Sequence, residues 1–221
     1  MLQGGAEALE CIQALQNGGE NLVGDLLRGQ GTFYEWSHYP EGDVYDRDSH
    51  AQYYYHTHDA TAGEHGHFHT FLRATGMPDG IRPVLGRDAE QRPAGDDALS
   101  HLVAIAMDAY GMPVRLFATN RWVTGETWYA APDVVRMLDR FRIDHAVPSW
   151  PVNRWLTAMF RLFHPEIEAL VRQRDEVVSA WARRYPERNP LEDAALEVTG
   201  SRAISIAQQI DRIKLALAAA A

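Results

Sequence analysis

The chain contains almost no cysteine and almost no lysine. Cys11 is the single cysteine among 221 residues, which rules out an intramolecular disulfide and excludes zinc fingers and iron–sulfur clusters, since both need several thiolates. Any metal ion would therefore have to be bound by histidine or carboxylate. Lys214 is the single lysine among 21 basic residues, so a cationic group that binds substrate would be an arginine.

Long apolar runs and basic runs are also lacking. No stretch approaches the roughly 20 apolar residues that span a bilayer, and Met1 to Glu10 has neither the basic region nor the apolar core of a secretory signal. We therefore expect a cytoplasmic protein. The net charge of −9, without a recognisable nucleic-acid module, argues against a nucleic-acid partner. The expected partner is a small-molecule substrate, and a homo-oligomer remains open.

The composition is that of an ordinary globular protein, with 46% hydrophobic and 23% charged residues. The length allows one sizeable core, and no internal repeat divides the chain, so we predict a single domain over residues 1–221. Within it we expect a helical N-terminal segment (1–31), a sheet segment that carries a metal site (32–130) and a helical C-terminal segment (131–221).

Apolar periodicity and turn residues give the elements of these segments. Strands are predicted at Thr32–Tyr39, Leu99–Asp108 and Val114–Val123, a loop at Glu41–Ser49 and a longer loop at Arg73–Gly95. Two packing helices are predicted before Gly29, and Asn189 followed by Pro190 predicts the start of a late helix. The fold class is therefore α+β, an antiparallel sheet, open or curled toward a barrel, covered by N-terminal and C-terminal helices.

Five of the ten histidines lie in one short stretch, at alternate positions in two blocks. The first block is Gln52-Tyr-Tyr-Tyr-His-Thr-His58, and the second, after a short spacer, is Glu64-His-Gly-His-Phe-His69. Alternation is the period of a β-strand, whose successive side chains point to opposite faces. The two blocks predict a β-hairpin that presents its imidazoles on one side.

The register of this hairpin follows from simple counting. If His58 pairs with His65 across the turn, His56 faces His67 and Tyr54 faces His69, and paired antiparallel residues share a face. All five imidazoles and one phenol then line one surface. The other surface receives an apolar set suited to packing under helices: Tyr53, Tyr55, Phe68 and Thr70.

Crowded imidazoles on facing strands are typical of a metal site. Histidine is the commonest protein ligand for zinc, copper, iron and nickel when cysteine is absent. The predicted ligand pool is His56, His58, His65, His67 and His69, with His101 as the long-range candidate that completes the shell. A solvated histidine surface or a hydrogen-bonded histidine–tyrosine network is the alternative.

Three further residues are candidates for catalysis. Glu64 lies beside the histidines at the turn and is a metal ligand, a general base or a solvated carboxylate. Tyr54 is a donor to the metal ligands, a radical-capable phenol or a packing residue. Arg121 either binds an anionic substrate or forms a surface ion pair.

His56-x-His58 followed by Glu64 resembles the first metal motif of the cupins, although the spacer before the glutamate is longer here. The resemblance implies a double-stranded barrel that binds iron, manganese, zinc or nickel through histidines and a glutamate. The phrases Gln52-Tyr-Tyr-Tyr-His56, Glu64-His-Gly-His-Phe-His69 and Trp150-Pro-Val-Asn-Arg-Trp155 are similar to those of an uncharacterised bacterial family, a resemblance that implies no activity.

We therefore expect a metal-dependent enzyme that acts on a small molecule. A non-haem iron or copper oxidoreductase is favoured, because a neutral multi-histidine shell lined by tyrosines suits a redox metal. A zinc- or manganese-dependent lyase or hydrolase is a second interpretation, in which the ion lowers the pKa of bound water. A non-catalytic metal or haem carrier, or a sensor, is a third.

Overall fold

A computed structural model describes residues 1–58, 63–84 and 92–219. It contains six strands and seven α-helices within these ranges. In chain order they are α1 (Leu2–Asn17), α2 (Leu22–Leu27), β1 (Tyr39–Tyr45), β2 (Ala51–His56), β3 (Gly66–Arg73), β4 (Leu99–Met107), β5 (Pro113–Thr119), α3 (Arg121–Thr124), α4 (Ala131–Leu138), α5 (Trp150–Leu162), α6 (His164–Arg184), β6 (Val198–Ala203) and α7 (Ile206–Ala219).

The strands form one antiparallel sheet in the order β1-β2-β3-β4-β5-β6. Each strand pairs with its neighbour in sequence, and β1 and β6 are the two edges of an open sheet. Helices from both ends of the chain flank it, which confirms the α+β class. The histidine hairpin, β2 and β3, lies next to one edge and is supported on its inner side by β4.

The main core lies between one face of this sheet and the helices. Tyr53, Tyr55 and Phe68 are fully buried on that face, and the ring of Phe68 packs 5.8 Å from that of Trp155 on α5. This is the apolar set predicted opposite the histidines. No helix in the described ranges is long and apolar enough to cross a membrane.

Helix α1 approaches α5 closely because of a glycine. A Cβ atom on Gly4 would lie 2.8 Å from Arg161 Cβ and 2.9 Å from the backbone oxygen of Ala158, closer than real side-chain contacts. The N-terminal helix is thereby joined to the C-terminal ones, and both cover the sheet face opposite the histidines.

The C-terminal segment, residues 131–221, was predicted to be helical, and this prediction is wrong where the segment contains a strand. Strand β6 pairs with β5, with Val198 opposite Thr119. The helix predicted to begin at Asn189 is absent from the described structure, and the residues after Asn189 form turns instead. Sequence periodicity missed this strand because its six residues carry no apolar alternation, and pairing with a distant partner stabilises it.

The segment before the hairpin also differs from prediction. Thr32–His38 is irregular rather than a strand, because the Tyr39 phenol donates to Thr32 O at 2.9 Å and accepts the Tyr34 N–H at 2.7 Å, which holds the chain in a loop. Strand β1 covers much of the predicted Glu41–Ser49 loop. In the predicted Arg73–Gly95 loop, Arg73 ends β3, Ala74–Gly76 forms a 3-10 turn and the following described residues have no helix or strand up to Pro93. Residues 59–62 and 85–91 lie outside the described residues.

Candidate metal centre

The second face of the sheet, away from the main core, carries the histidines. The register is the predicted one: His56 lies opposite His67, and Tyr54 opposite His69. On the neighbouring strand, β4, Ala106 pairs with His67 and Ala104 with His69. These two alanines carry only methyl side chains, so the imidazole rings have room over this part of the sheet while remaining buried.

His56, His67 and His69 form a compact triad. One ring nitrogen from each residue lies within 4.8 Å of the others, and all three side chains are buried. In a tetrahedral site with ligand nitrogens about 2.1 Å from the ion, the nitrogens are about 3.4 Å apart. The triad is therefore of the right size to hold one metal ion after small rotations of the rings.

The hydrogen bonding of the triad is incomplete. His56 Nε2 and His67 Nε2 lie 2.7 Å apart, so one must donate its proton to the other. His69 Nδ1 lies 3.0 Å from His101 Nε2. His69 Nε2 is buried and has no hydrogen-bond partner among residues 1–58, 63–84 and 92–219. A buried polar nitrogen without a partner costs roughly 1–3 kcal/mol, and a bound cation would remove that cost.

Burial keeps these imidazoles uncharged. Burial first, and then the neighbouring histidines, lower the pKa of His56 to about 3 and that of His67 to about 2. The pKa of His69 is lowered in the same direction, again mainly by burial and then by His101. Neutral imidazole is the form that binds metal. The site is therefore in its binding form throughout the neutral pH range.

His101 lies behind the triad rather than in it. Its ring reaches His69 from β4, and its backbone N–H donates to Glu126 Oε2 at 2.5 Å. Burial lowers the pKa of His101 to about 3, so its Nε2 can accept a proton from His69 Nδ1. That hydrogen bond would leave the lone pair of His69 Nε2 directed at the metal position. The structure thus places His101 as a support for a ligand.

His58 lies at the rim of the triad. Its ring centroid is 4.9 Å from that of His56 and 5.1 Å from that of His67. The His58 ring stacks on Trp36, with centroids 4.3 Å apart and planes 13° apart. His58 is half-buried, and it is the nearest further imidazole to the triad on the solvent side.

His65 does not join the other histidines, so the prediction of five imidazoles on one surface is wrong for this residue. Its Nδ1 is 2.8 Å from the Tyr55 hydroxyl, and its ring stacks on Phe33. Strand β3 begins only at Gly66, where a Cβ atom would lie 2.6 Å from the Tyr55 hydroxyl. Because position 65 precedes the strand, alternation does not fix its direction, and the phenol passing over Gly66 holds the ring on the other side.

Glu64 is engaged by an arginine. Arg115 Nε and Nη2 bind its two carboxylate oxygens at 2.6 and 2.8 Å, and the guanidinium also stacks on Phe117 at 4.3 Å. The Glu64 side chain is 10% exposed, so it is neither the solvated carboxylate nor the free general base considered from the sequence. The pair lies beside His67 and His69, which Phe117 contacts edge-on.

Tyr54 lies on the histidine face, as predicted, and packs against a residue that the sequence did not single out. The His38 ring stacks on the phenol with centroids 3.6 Å apart, and His38 Nδ1 is 3.1 Å from Asp43 Oδ1. Asp43 in turn accepts from Gln52 Nε2 at 2.6 Å. Burial, followed by the charge of Asp43, raises the pKa of Tyr54, so the phenol remains protonated beside the triad.

Arg121 lines neither of the pockets beside the histidines, and its role in binding an anionic substrate stays a prediction. It is fully buried at the start of α3 and pairs with Glu192. Together with Trp128 and Tyr129 it lines a separate pocket of about 440 Å³. It is therefore neither a surface pair nor part of the metal centre.

A family comparison identifies the chain over most of its length. The model of a family described as Domain of unknown function (DUF6969) matches residues 2–204. The chain belongs to the DUF6969 family. No curated protein and no solved structure matches it.

Membership of DUF6969 confirms the resemblance to an uncharacterised family. It gives no support to the resemblance to the cupins. The cupin resemblance implied a double-stranded barrel, whereas this DUF6969 member has an open sheet whose strands pair in sequence order. Its triad also differs from the cupin pattern, since His67 and His69 follow Glu64 and the glutamate is bound to Arg115.

Two pockets give access to the triad. One, of about 80 Å³, is lined by residues that include His58, His67, His69 and Glu64. The second, of about 360 Å³, lies beside His56 and His58 and is lined also by Trp36, His38, Tyr54, Trp122, Val123 and Glu197. The triad therefore has protein on one side and accessible space on the other.

Sequence reasoning missed three residues of this surface, namely Trp36, His38 and Trp122. The first two lie in the loop before β1 and the third in the short helix α3 after β5. The one available signal was the aromatic-rich Thr32–Tyr39 segment, which was assigned to a strand. Neither segment has a spacing relation to the histidine hairpin, so only the fold brings them together.

Proposed function

We propose that this protein is a metal-dependent enzyme that acts on a small molecule at a single metal ion bound by His56, His67 and His69. The observation that carries the proposal is the triad itself. Three buried, neutral imidazoles converge, and the Nε2 atom of His69 lacks a partner within the described ranges. Filling a core with such groups is unfavourable unless a cation satisfies them.

The accessible side of the triad supports catalysis over a purely structural role. Structural zinc sites have a closed shell of four protein ligands, whereas catalytic sites have three and keep a position for water or substrate. Here the described residues supply three close nitrogens, and pockets open beside them. His58 at the rim is the nearest group that would close the shell, so its position decides between an enzyme and a carrier.

Iron or copper redox chemistry is the favoured reaction class. All three donors are neutral imidazoles, a ligand type suited to copper and iron as well as zinc. Tyr54, a buried and protonated phenol, packs edge-on to His56 at 5.2 Å. With an ion bound to the triad, this phenol would be a hydrogen-bond donor beside the ligand His56, and the iron or copper would supply the redox chemistry.

A zinc- or manganese-dependent hydrolase or lyase is a second candidate, favoured by one specific contact. His38 Nδ1 lies 3.1 Å from Asp43 Oδ1, and in the neutral tautomer that donates to this carboxylate the lone pair is on His38 Nε2. A carboxylate-oriented imidazole beside a metal site is a typical proton acceptor. In this reaction class the ion supplies a bound water with a lowered pKa.

The test uses the chain purified without an affinity tag. Elemental analysis identifies the metal that co-purifies, and metal-free protein is then reloaded with iron(II), copper(II) or zinc(II). Azide added to the copper(II)-loaded protein reports the open position through a new charge-transfer band. The proposal expects one tightly bound ion and azide binding.

Each other result has a definite meaning. Only trace metal together with no tight rebinding would overturn the proposal. Tight metal binding without an azide band would show a closed shell and favour a carrier. Reversible one-electron reduction of the bound iron or copper favours the oxidoreductase, and specific retention of zinc with no redox activity favours the hydrolase or lyase.

A further inference from the structure

The larger pocket beside the triad has the character of a substrate site. We call it the vestibule, and it is lined by Trp36, His38, Tyr54, His56, His58, Trp122, Val123 and Glu197. Its volume of about 360 Å³ lies in the range of pockets that bind small ligands, roughly 300–1,000 Å³. Because His56 belongs to the triad, a molecule in the vestibule would lie next to the metal ion.

Trp36 is held over the vestibule at an energetic cost. It has a φ of 68°, a left-handed conformation that is unfavourable for an aromatic residue. Its backbone N–H donates to Thr57 O at 2.9 Å, and its ring stacks on His58. Even so, the residue is 64% exposed. A large apolar ring held in this way at a pocket is explained by a ligand that covers its free surface.

Trp122 lines the same vestibule and is fixed in position. Its indole Nε1 donates to Leu196 O at 2.8 Å, and its backbone N–H donates to Leu191 O at 3.1 Å. Because the indole of Trp122 is already fixed, it loses little conformational entropy when a ligand binds. Its contact with the ligand therefore contributes to affinity at low entropic cost. Two tryptophans and the Tyr54–His38 stack make an aromatic surface with specificity for flat rings.

The fixed charges at the vestibule disfavour anions. The described residues that line it include no arginine or lysine, and they include the exposed carboxylate of Glu197. Asp43 lies directly behind His38. Arg115, which lines the smaller pocket beside the triad, is bound to Glu64. Tryptophan faces also attract cations.

We propose that the vestibule binds the substrate of the metal centre, and that this substrate carries a flat aromatic ring and no negative charge. Calling the ligand a substrate rests on the proposed function, whereas the chemical class of the ligand is inferred from the vestibule alone. An uncharged ring stacks on the indoles, and a cationic ring is attracted in addition to the indole faces and Glu197.

The test measures binding of four small probes to the metal-free chain and to the zinc-loaded chain by saturation-transfer NMR titration. Benzyltrimethylammonium and benzyl alcohol represent cationic and neutral aromatics, benzenesulfonate an anionic aromatic, and cyclohexylmethanol a neutral ring without π electrons. The first two are expected to bind roughly fivefold or more tightly than the last two. Binding is expected with and without metal.

Variants locate the site. Trp36→Ala is expected to weaken binding of the aromatic probes roughly fivefold, and Trp36→Phe to restore most of the affinity. Trp150→Ala is the matched control, because Trp150 is also exposed but lies at the start of α5 beside another pocket. Metal affinity is measured in parallel and is expected to change little in all three variants.

Three outcomes would overturn the inference. They are absence of binding by either aromatic probe up to its solubility limit, equal or tighter binding of benzenesulfonate, and unchanged affinity in Trp36→Ala. Failure of the proposed function is seen separately, as loss of metal binding by the triad while the probes still bind. Retained metal binding without probe binding refutes the vestibule alone.

Discussion

Metal-free protein should lose stability steeply as the pH falls below about 6.5. His56, His67, His69 and His101 are buried, and burial lowers the pKa of each far below that of an unfolded histidine. The unfolded chain therefore binds protons that the folded chain does not. The stability that the four neutral histidines contribute is fully present above the pKa of an unfolded histidine. It is lost as the pH falls toward the lower pKa values that these histidines have in the folded protein.

The size of the effect follows from these shifts. When the pH falls from 7.5 to 5.5, each buried histidine with an unfolded pKa near 6.5 lowers the free energy of unfolding by about 1.4 kcal/mol. The four histidines together lower it by roughly 5 to 6 kcal/mol. Glu126 acts in the opposite direction, because burial raises its pKa to about 7 and protonation favours the folded state by roughly 2 kcal/mol over this interval. The net loss of about 4 kcal/mol is a large part of a typical stability of 5–15 kcal/mol.

Urea unfolding of metal-free protein at the two pH values and one ionic strength, followed by circular dichroism, measures this loss. His67→Gln removes one of the four imidazoles and is expected to reduce the pH dependence by about 1.4 kcal/mol. Equal stability at pH 7.5 and 5.5 would refute the reasoning, since it would mean that the cluster is solvated or already protonated in the folded protein.

Three smaller predictions concern single residues, two beside the site and one on the opposite face of the sheet. Trp36→Gly should be more stable than Trp36→Ala by about 1 kcal/mol in chemical denaturation, because glycine adopts the positive φ of residue 36 without strain. Equal stabilities of the two variants would show that the backbone at residue 36 is not strained. Glu64→Gln should leave metal affinity unchanged in a competition titration and destabilise the fold by roughly 1 kcal/mol, since both carboxylate oxygens are bound by Arg115; weakened metal binding would make Glu64 a ligand. Tyr53→Phe should cost about 1 kcal/mol in unfolding free energy with intact metal binding, because it leaves Asn153 Oδ1 without the hydroxyl that donates to it at 2.6 Å.

The part of the site inside the hairpin could be predicted from sequence because it depends on a local rule. Alternation places side chains on one face, and one assumed pair fixes the others. The observed pairs His56–His67 and Tyr54–His69 are those that the counting gave. The rule failed for His65, which precedes the strand and is drawn to Tyr55 by a hydrogen bond that no periodicity encodes.

The part of the site outside the hairpin depends on long-range packing. Trp36 and His38 come from an irregular loop held by the Tyr39 phenol, and Arg115 reaches Glu64 from β5. Arg121 illustrates the same limit, since its sequence neighbour Trp122 lines the vestibule while Arg121 itself lines another pocket. Helix α3 has only four residues, and its contacts with the chain after residue 190 set the direction in which each of its side chains points.

The central claim is that the triad binds one metal ion, and two matched variants test it most directly. Equilibrium dialysis of wild type, His67→Gln and His65→Gln against zinc(II) and copper(II), followed by elemental analysis, compares two histidines of one hairpin that the fold places on different sides. We predict one bound ion for wild type and His65→Gln, and affinity lower by at least roughly tenfold in His67→Gln. Wild-type affinity in His67→Gln, or no bound ion in the wild type, would contradict the account.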